Sequence, residues 1–183
     1  MKEKESEIKR AERKYLPEFV YGGIDGSVTT FAVVAGAIGA TLSPAIIVIL
    51  GFANLFGDGF SMAISNYLSV KSQYDLMKTK RAGSVMEEAK HPIKAGLATF
   101  FSFFVVGFIP LLSFVLAYFI PVLDSSKFIL SFILTGFALF FVGLIKGEVV
   151  KKHPIRAAVE TLIIGGIAAI LAFLVGYCLR GLA

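Results

Sequence analysis

Five apolar stretches, each long enough to cross a bilayer, leave this chain of 183 residues few ways to fold. They run roughly over residues 17–40, 44–70, 93–120, 127–150 and 154–179. About 30 Å of hydrocarbon asks for about 20 residues of helix at 1.5 Å each, and every stretch meets that length. Lipid offers no partner to a free N–H or C=O, so such stretches must satisfy their own backbone as helices. The predicted fold class is all-α, a polytopic membrane protein of five transmembrane helices. Composition agrees, with 56% hydrophobic residues and a mean hydropathy of +0.79, far above a soluble domain of this size. One embedded domain, 17–183, follows a charged cytoplasmic segment, 1–16, which reads as a solvated leader at the membrane surface, although pairs such as Glu5–Lys9 and Glu7–Arg10 would allow a short interfacial helix. That segment has no apolar run, so no cleavable leader is expected. With one cysteine, Cys178, there is neither an internal disulfide nor a thiolate metal cluster.

The basic residues orient the spans. Of the 18 Lys and Arg, all but Lys127 and Arg180 lie in the N-terminal segment, in the loop 71–92 and its flanks, or around the short 4–5 connection. The positive-inside rule then places the N-terminus and the loop 71–92 in the cytoplasm and the C-terminus on the opposite side. Charges that flank apolar spans in this way do not point to nucleic acid. His91-Pro92 and His153-Pro154 each precede a span that starts at the cytoplasmic face, where proline suits a helix's first turn. The two histidines read as interfacial residues rather than metal ligands. Spans 3 and 4 are rich in Phe, which suits a lipid-facing shell.

Span 2 breaks the apolar pattern. Asn54, Asp58, Ser61 and Ser65 step by four, three and four along it, which puts them on one helical face, and Met62 borders that face. An acid at the centre of a bilayer costs about 3 kcal/mol even on lenient scales, so such a residue is usually functional. Span 1 carries a second acid, Asp25, in the run Gly22-Gly23-Ile24-Asp25-Gly26, with Thr29 one turn on. Counting inward from the cytoplasmic face puts Asp25 and Met62 at one depth, with Asp58 about a turn deeper. Glycines 22, 23, 26, 57 and 59 are expected to let spans 1 and 2 approach closely enough for both acids to reach one ion. Asp25, Asp58, Met62 and Asn54 are the candidate metal ligands, and Thr29, Ser61 and Ser65 the candidate path lining. Carboxylate oxygens with a thioether, and neither Cys nor His, favour Fe²⁺ or Mn²⁺ as transported substrate, with no permanently bound cofactor. Two acids at neighbouring depths also let a metal ion and protons compete for the same oxygens.

At these residues the chain resembles the vacuolar iron transporter family. The resemblance is carried by Asp25-Gly26-Ser27-Val28-Thr29-Thr30-Phe31-Ala32 in span 1 and by Gly51-Phe52-Ala53-Asn54, Asp58-Gly59-Phe60-Ser61-Met62 and Tyr67-Leu68-Ser69 in span 2. It extends to Ile109-Pro110-Leu111 in span 3. The resemblance implies five spans, a homodimer, export of cytosolic Fe²⁺ or Mn²⁺ in exchange for protons, and a path lined at Asp25 and Met62. Plant members carry a large cytoplasmic insert rich in Glu and Met between spans 2 and 3. Here that loop offers Met86, Glu87 and Glu88 as a cytoplasmic entry point, against the simpler reading of a solvated loop. Those members also place a carboxylate where this chain has Asn54, a role that Asp58 would take one turn away. The compact loop suggests the plasma membrane of a prokaryote.

Two other readings compete. An intramembrane aspartyl protease would use Asp25 and Asp58, but Leu55-Phe56-Gly57-Asp58 departs from that family's Gly-x-Gly-Asp. A membrane module that binds metal without moving it would need the same residues. The sequence favours a transporter, not an enzyme.

Overall fold

The computed structural model describes residues 2–79 and 89–182, with side chains from Lys14 onward. Five helices carry it: α1 (Lys2–Gly39), α2 (Pro44–Thr79), α3 (Pro92–Phe119), α4 (Lys127–Val149) and α5 (Pro154–Leu179). Each contains a segment long and apolar enough to cross a membrane. No strand occurs among the described residues. The chain is an all-helical integral membrane protein.

Local chemistry explains the helix ends. His91 and His153 sit as extended N-caps, each followed by proline at the first helical position, where its missing N–H is not needed. Helix α1 ends with Thr41 in the left-handed region (φ 58°). There the Leu42 N–H reaches the Ala37 carbonyl and the Thr41 N–H the Ile38 carbonyl, both at 2.9 Å. This paired closure of a helix end usually uses glycine. Lys151 (φ 52°) closes α4 in the same way.

Two expectations change. The charged N-terminal segment, expected as a solvated leader, is helical and continuous with the first span, as α1 runs unbroken from Lys2 through Pro17. Helix α2 likewise continues to Thr79, well into the stretch expected to be loop. Both extensions are polar helix continuous with the apolar spans, as i,i+4 charge pairing permits.

Helices α1 and α3 form the centre: α1 packs against all four others and α3 against α1, α2 and α4, with Phe103 and Leu111 of α3 fully buried and Phe114 nearly so. The expected lipid-facing shell therefore fits α4, whose Phe132, Phe137 and Phe141 are exposed, and holds for only one face of α3, where Phe101 and Phe119 are exposed. Lipid tails and protein interiors are equally apolar, so phenylalanine does not tell them apart. Small residues do. The faces of Gly22, Gly23 and Gly26 turn to α3, where a Cβ on Gly26 would collide with the backbone of Phe103. Gly107 of α3 returns the fit against the Gly26 carbonyl.

Hydroxyls lock this seam. Pro110 inside α3 cannot donate to the carbonyl four residues back, Val106, and Ser27 of α1 donates to that carbonyl at 3.2 Å instead. Ser131 of α4 donates to the Pro110 carbonyl at 2.6 Å, and Ser102 donates to the Phe19 carbonyl. A methyl at residue 26 has only backbone in its way. Gly26→Ala is expected to destabilise the fold at the upper end of the ~1–3 kcal/mol that overpacking costs. Gly136→Ala, where no described atom lies within 4 Å of the added carbon, should be neutral or slightly stabilising. Unfolding in detergent micelles compares the two, and equal effects would refute the packing assigned here.

Candidate metal site

The site begins with one polar contact between α1 and α2. The Asn54 amide donates to the Thr29 hydroxyl at 3.4 Å and to the Thr30 hydroxyl at 3.3 Å, both long, while Thr29 donates to the Asp25 carbonyl at 2.8 Å. This contact fixes the register of two antiparallel helices. Asp25 lies one turn before Thr29 and Asp58 one turn after Asn54, so the two acids share a level. By the same count Met62 stands one turn nearer the basic end, opposite Tyr21. The depth pairing expected from sequence, Asp25 with Met62 and Asp58 deeper, is thus displaced by a turn. Counting inward from the membrane faces leaves the register between the two helices open, and the Asn54 contact with Thr29 and Thr30 sets it.

Burial separates the candidates. Asp25, Thr29, Asn54 and Met62 are half-buried, whereas Asp58, Ser61 and Ser65 are exposed on the outer side of α2. Met62 packs beside the core cluster of Leu55 and Phe103, so its sulfur borders the stripe rather than crowning it. The glycines do not draw α1 and α2 together as expected. Gly22, Gly23 and Gly26 serve α3, and Gly59 meets Phe100 and Phe103 of α3. Among the described residues no three His, Cys, Asp or Glu side chains converge. One chain supplies two carboxylates at this level, with an amide, hydroxyls and a thioether nearby. Met86, Glu87 and Glu88 lie outside the described residues.

Comparison with known proteins reaches the same helices. A family model described as the VIT family matches residues 16–88 and 80–177, which takes in Asp25, Asn54, Asp58 and Met62. This chain belongs to the VIT family. It is 27% identical to a "Vacuolar iron transporter" of Plasmodium berghei over 97% of its length and 87% of that protein's. It is 26% identical to "Vacuolar iron transporter 1" of Arabidopsis thaliana over 85% of this chain and 82% of that one. With "Vacuolar iron transporter homolog 4" of Arabidopsis thaliana the identity is 30%, over 86% and 79%.

The structure also shows what sequence reasoning missed in this VIT-family chain. Glu18 of α1 is buried and pairs with Lys90 at 2.6 Å, and the Tyr15 hydroxyl accepts the His91 N–H at 3.0 Å. Together they clamp the start of α3 to α1. The second oxygen of Glu18, Oε2, is buried without a hydrogen-bond partner among the described residues. The signal was present: Glu18 precedes Asp25 by seven residues, two turns along the same face, about 10 Å nearer the basic end.

Proposed function

We propose that this protein is a divalent transition-metal transporter that moves Fe²⁺ or Mn²⁺ out of the cytoplasm in exchange for protons. The observation that carries the reading is the shared level of Asp25 and Asp58 within the apolar spans, with Asn54 bound to the Thr29 turn beside them. Two carboxylates, an amide oxygen and a thioether suit a borderline divalent ion. The names of the VIT-family relatives support iron as a substrate. The basic residues support a cytoplasmic N-terminus, so that the turn bearing Met62 faces the cytoplasm and metal arrives there first. On this reading the compact chain serves a prokaryotic cell membrane.

The working unit is a homodimer. Asp58, Ser61 and Ser65 are exposed in a single chain, and lipid is a costly neighbour for an acid. Gly57, with open space before it, lies beside them on α2. A second copy packed through this face by a twofold axis would cover the stripe and bring four carboxylates to one level.

Flux of Fe²⁺, Mn²⁺, Co²⁺ and Zn²⁺ into liposomes holding the purified protein tests the reading. Fe²⁺ and Mn²⁺ should move fastest. Met62→Leu keeps the volume and loses the sulfur, so it should slow Fe²⁺ relative to Mn²⁺, the harder ion, with little change in stability. Equal slowing of both ions, or none, would remove Met62 from the ligand set.

A further inference from the structure

At the end of the bundle away from the basic loops, a cavity of about 810 Å³ opens along the seam between α2 and α3. That volume lies within the ~300–1,000 Å³ of small-molecule sites. Pro44, Val48 and Phe52 of α2 and Phe114, Ala117 and Tyr118 of α3 form its walls, and none of the metal-site residues lines it. Its polar end is a single pair, Asp124 and Lys127.

That pair is unusual. Lys127 opens α4, where the helix dipole disfavours a cation, and its side chain is only 8% exposed. Its ammonium bonds Asp124 at 2.5 Å, while the Asp124 side chain is 70% exposed. A lysine has three donors and a carboxylate two acceptor oxygens, so each group keeps capacity for a ligand without breaking the pair. The cavity therefore presents a negative and a positive group side by side at the mouth of an apolar trough.

We propose that this seam binds one phospholipid with a primary-amine zwitterionic headgroup, of the phosphatidylethanolamine class. The lipid ammonium sits on Asp124, the phosphate takes the free donors of Lys127, and one acyl chain lies between α2 and α3. A purely anionic headgroup meets Asp124 with like charge. A quaternary ammonium has no N–H to give it. Tyr118, 85% exposed, stands at the rim as interfacial tyrosines do.

Native mass spectrometry of the full chain, released from bilayers of equimolar phosphatidylethanolamine, phosphatidylcholine and phosphatidylglycerol with matched chains, tests this. Several-fold enrichment of phosphatidylethanolamine is expected. Asp124→Asn should erase its advantage over phosphatidylcholine, and Lys127→Met should lower retention of all three. Ala45→Trp fills the seam without touching either charge, and should lower retention several-fold in a chain that still folds. Enrichment of phosphatidylglycerol, equal retention of all three lipids, or an Ala45→Trp protein that holds lipid normally would each overturn the proposal. So would disulfide cross-linking of two copies through Val48→Cys in a Cys178→Ser background, since a second chain would then occupy the seam.

Discussion

Asp25→Asn is expected to reduce metal flux at least about thirtyfold while the protein folds and inserts normally. The substitution keeps the shape of the side chain and removes its charge. Removing one partner from a desolvated charge contact costs about 2–5 kcal/mol, and each 1.4 kcal/mol is tenfold. Asp25 is the half-buried member of the carboxylate pair, so its charge is the less screened by solvent. The hydrogen bond that holds the turn uses its backbone carbonyl, not its side chain, so local structure should survive. The double variant Asp25→Asn, Asp58→Asn should lose barely more than Asp25→Asn alone, because two ligands of one ion do not act independently. Liposome flux of Mn²⁺ (which resists oxidation in air), with thermal unfolding as the folding control, decides it. Near-normal flux from Asp25→Asn would move the metal path elsewhere in the bundle.

How much of this was legible in the sequence follows from what lipid demands. The five helices were readable because only self-satisfied backbone crosses hydrocarbon, and that requirement leaves long apolar runs. The stripe Asn54–Asp58–Ser61–Ser65 was readable because polar groups in such a run stand out against it. Relations between helices were not. Register between α1 and α2 depends on the contact of Asn54 with Thr29 and Thr30, and no pattern within either helix encodes it. The buried face of α3 was not readable because Phe103 and Phe101 look alike in sequence, though one is core and the other faces outward. Thr99, Ser102, Gly96 and Gly107 were the better signal, since their small and hydroxyl faces are what α1 and α2 pack on. Glu18 escaped notice because it follows the charged leader and reads as its last residue. Only the fold shows that it is buried against Lys90.

Metal affinity should rise with pH, and an inward proton gradient should drive metal outward. The sign follows from the ligands. A carboxylate binds a cation only when deprotonated, so each proton bound to Asp25 or Asp58 must leave as metal arrives. At low pH the proton holds the site, at high pH the metal does, and affinity should climb by about tenfold per pH unit for each proton displaced. The level pairing of the two acids strengthens the case, because like charges in low dielectric repel until a cation lies between them. Asp58→Asn removes one of the two carboxylates and leaves Asp25 in place. It should keep measurable metal binding while cutting the pH slope by about half, a signature that a merely structural role would not produce. Flux across liposomes with and without an imposed gradient, with internal pH read by a trapped dye, measures the coupling directly. Metal movement that ignores the gradient and displaces no protons would make the protein a passive channel. An unchanged slope in Asp58→Asn would confine the exchange to Asp25 and leave Asp58 a charge on the path, without a proton of its own.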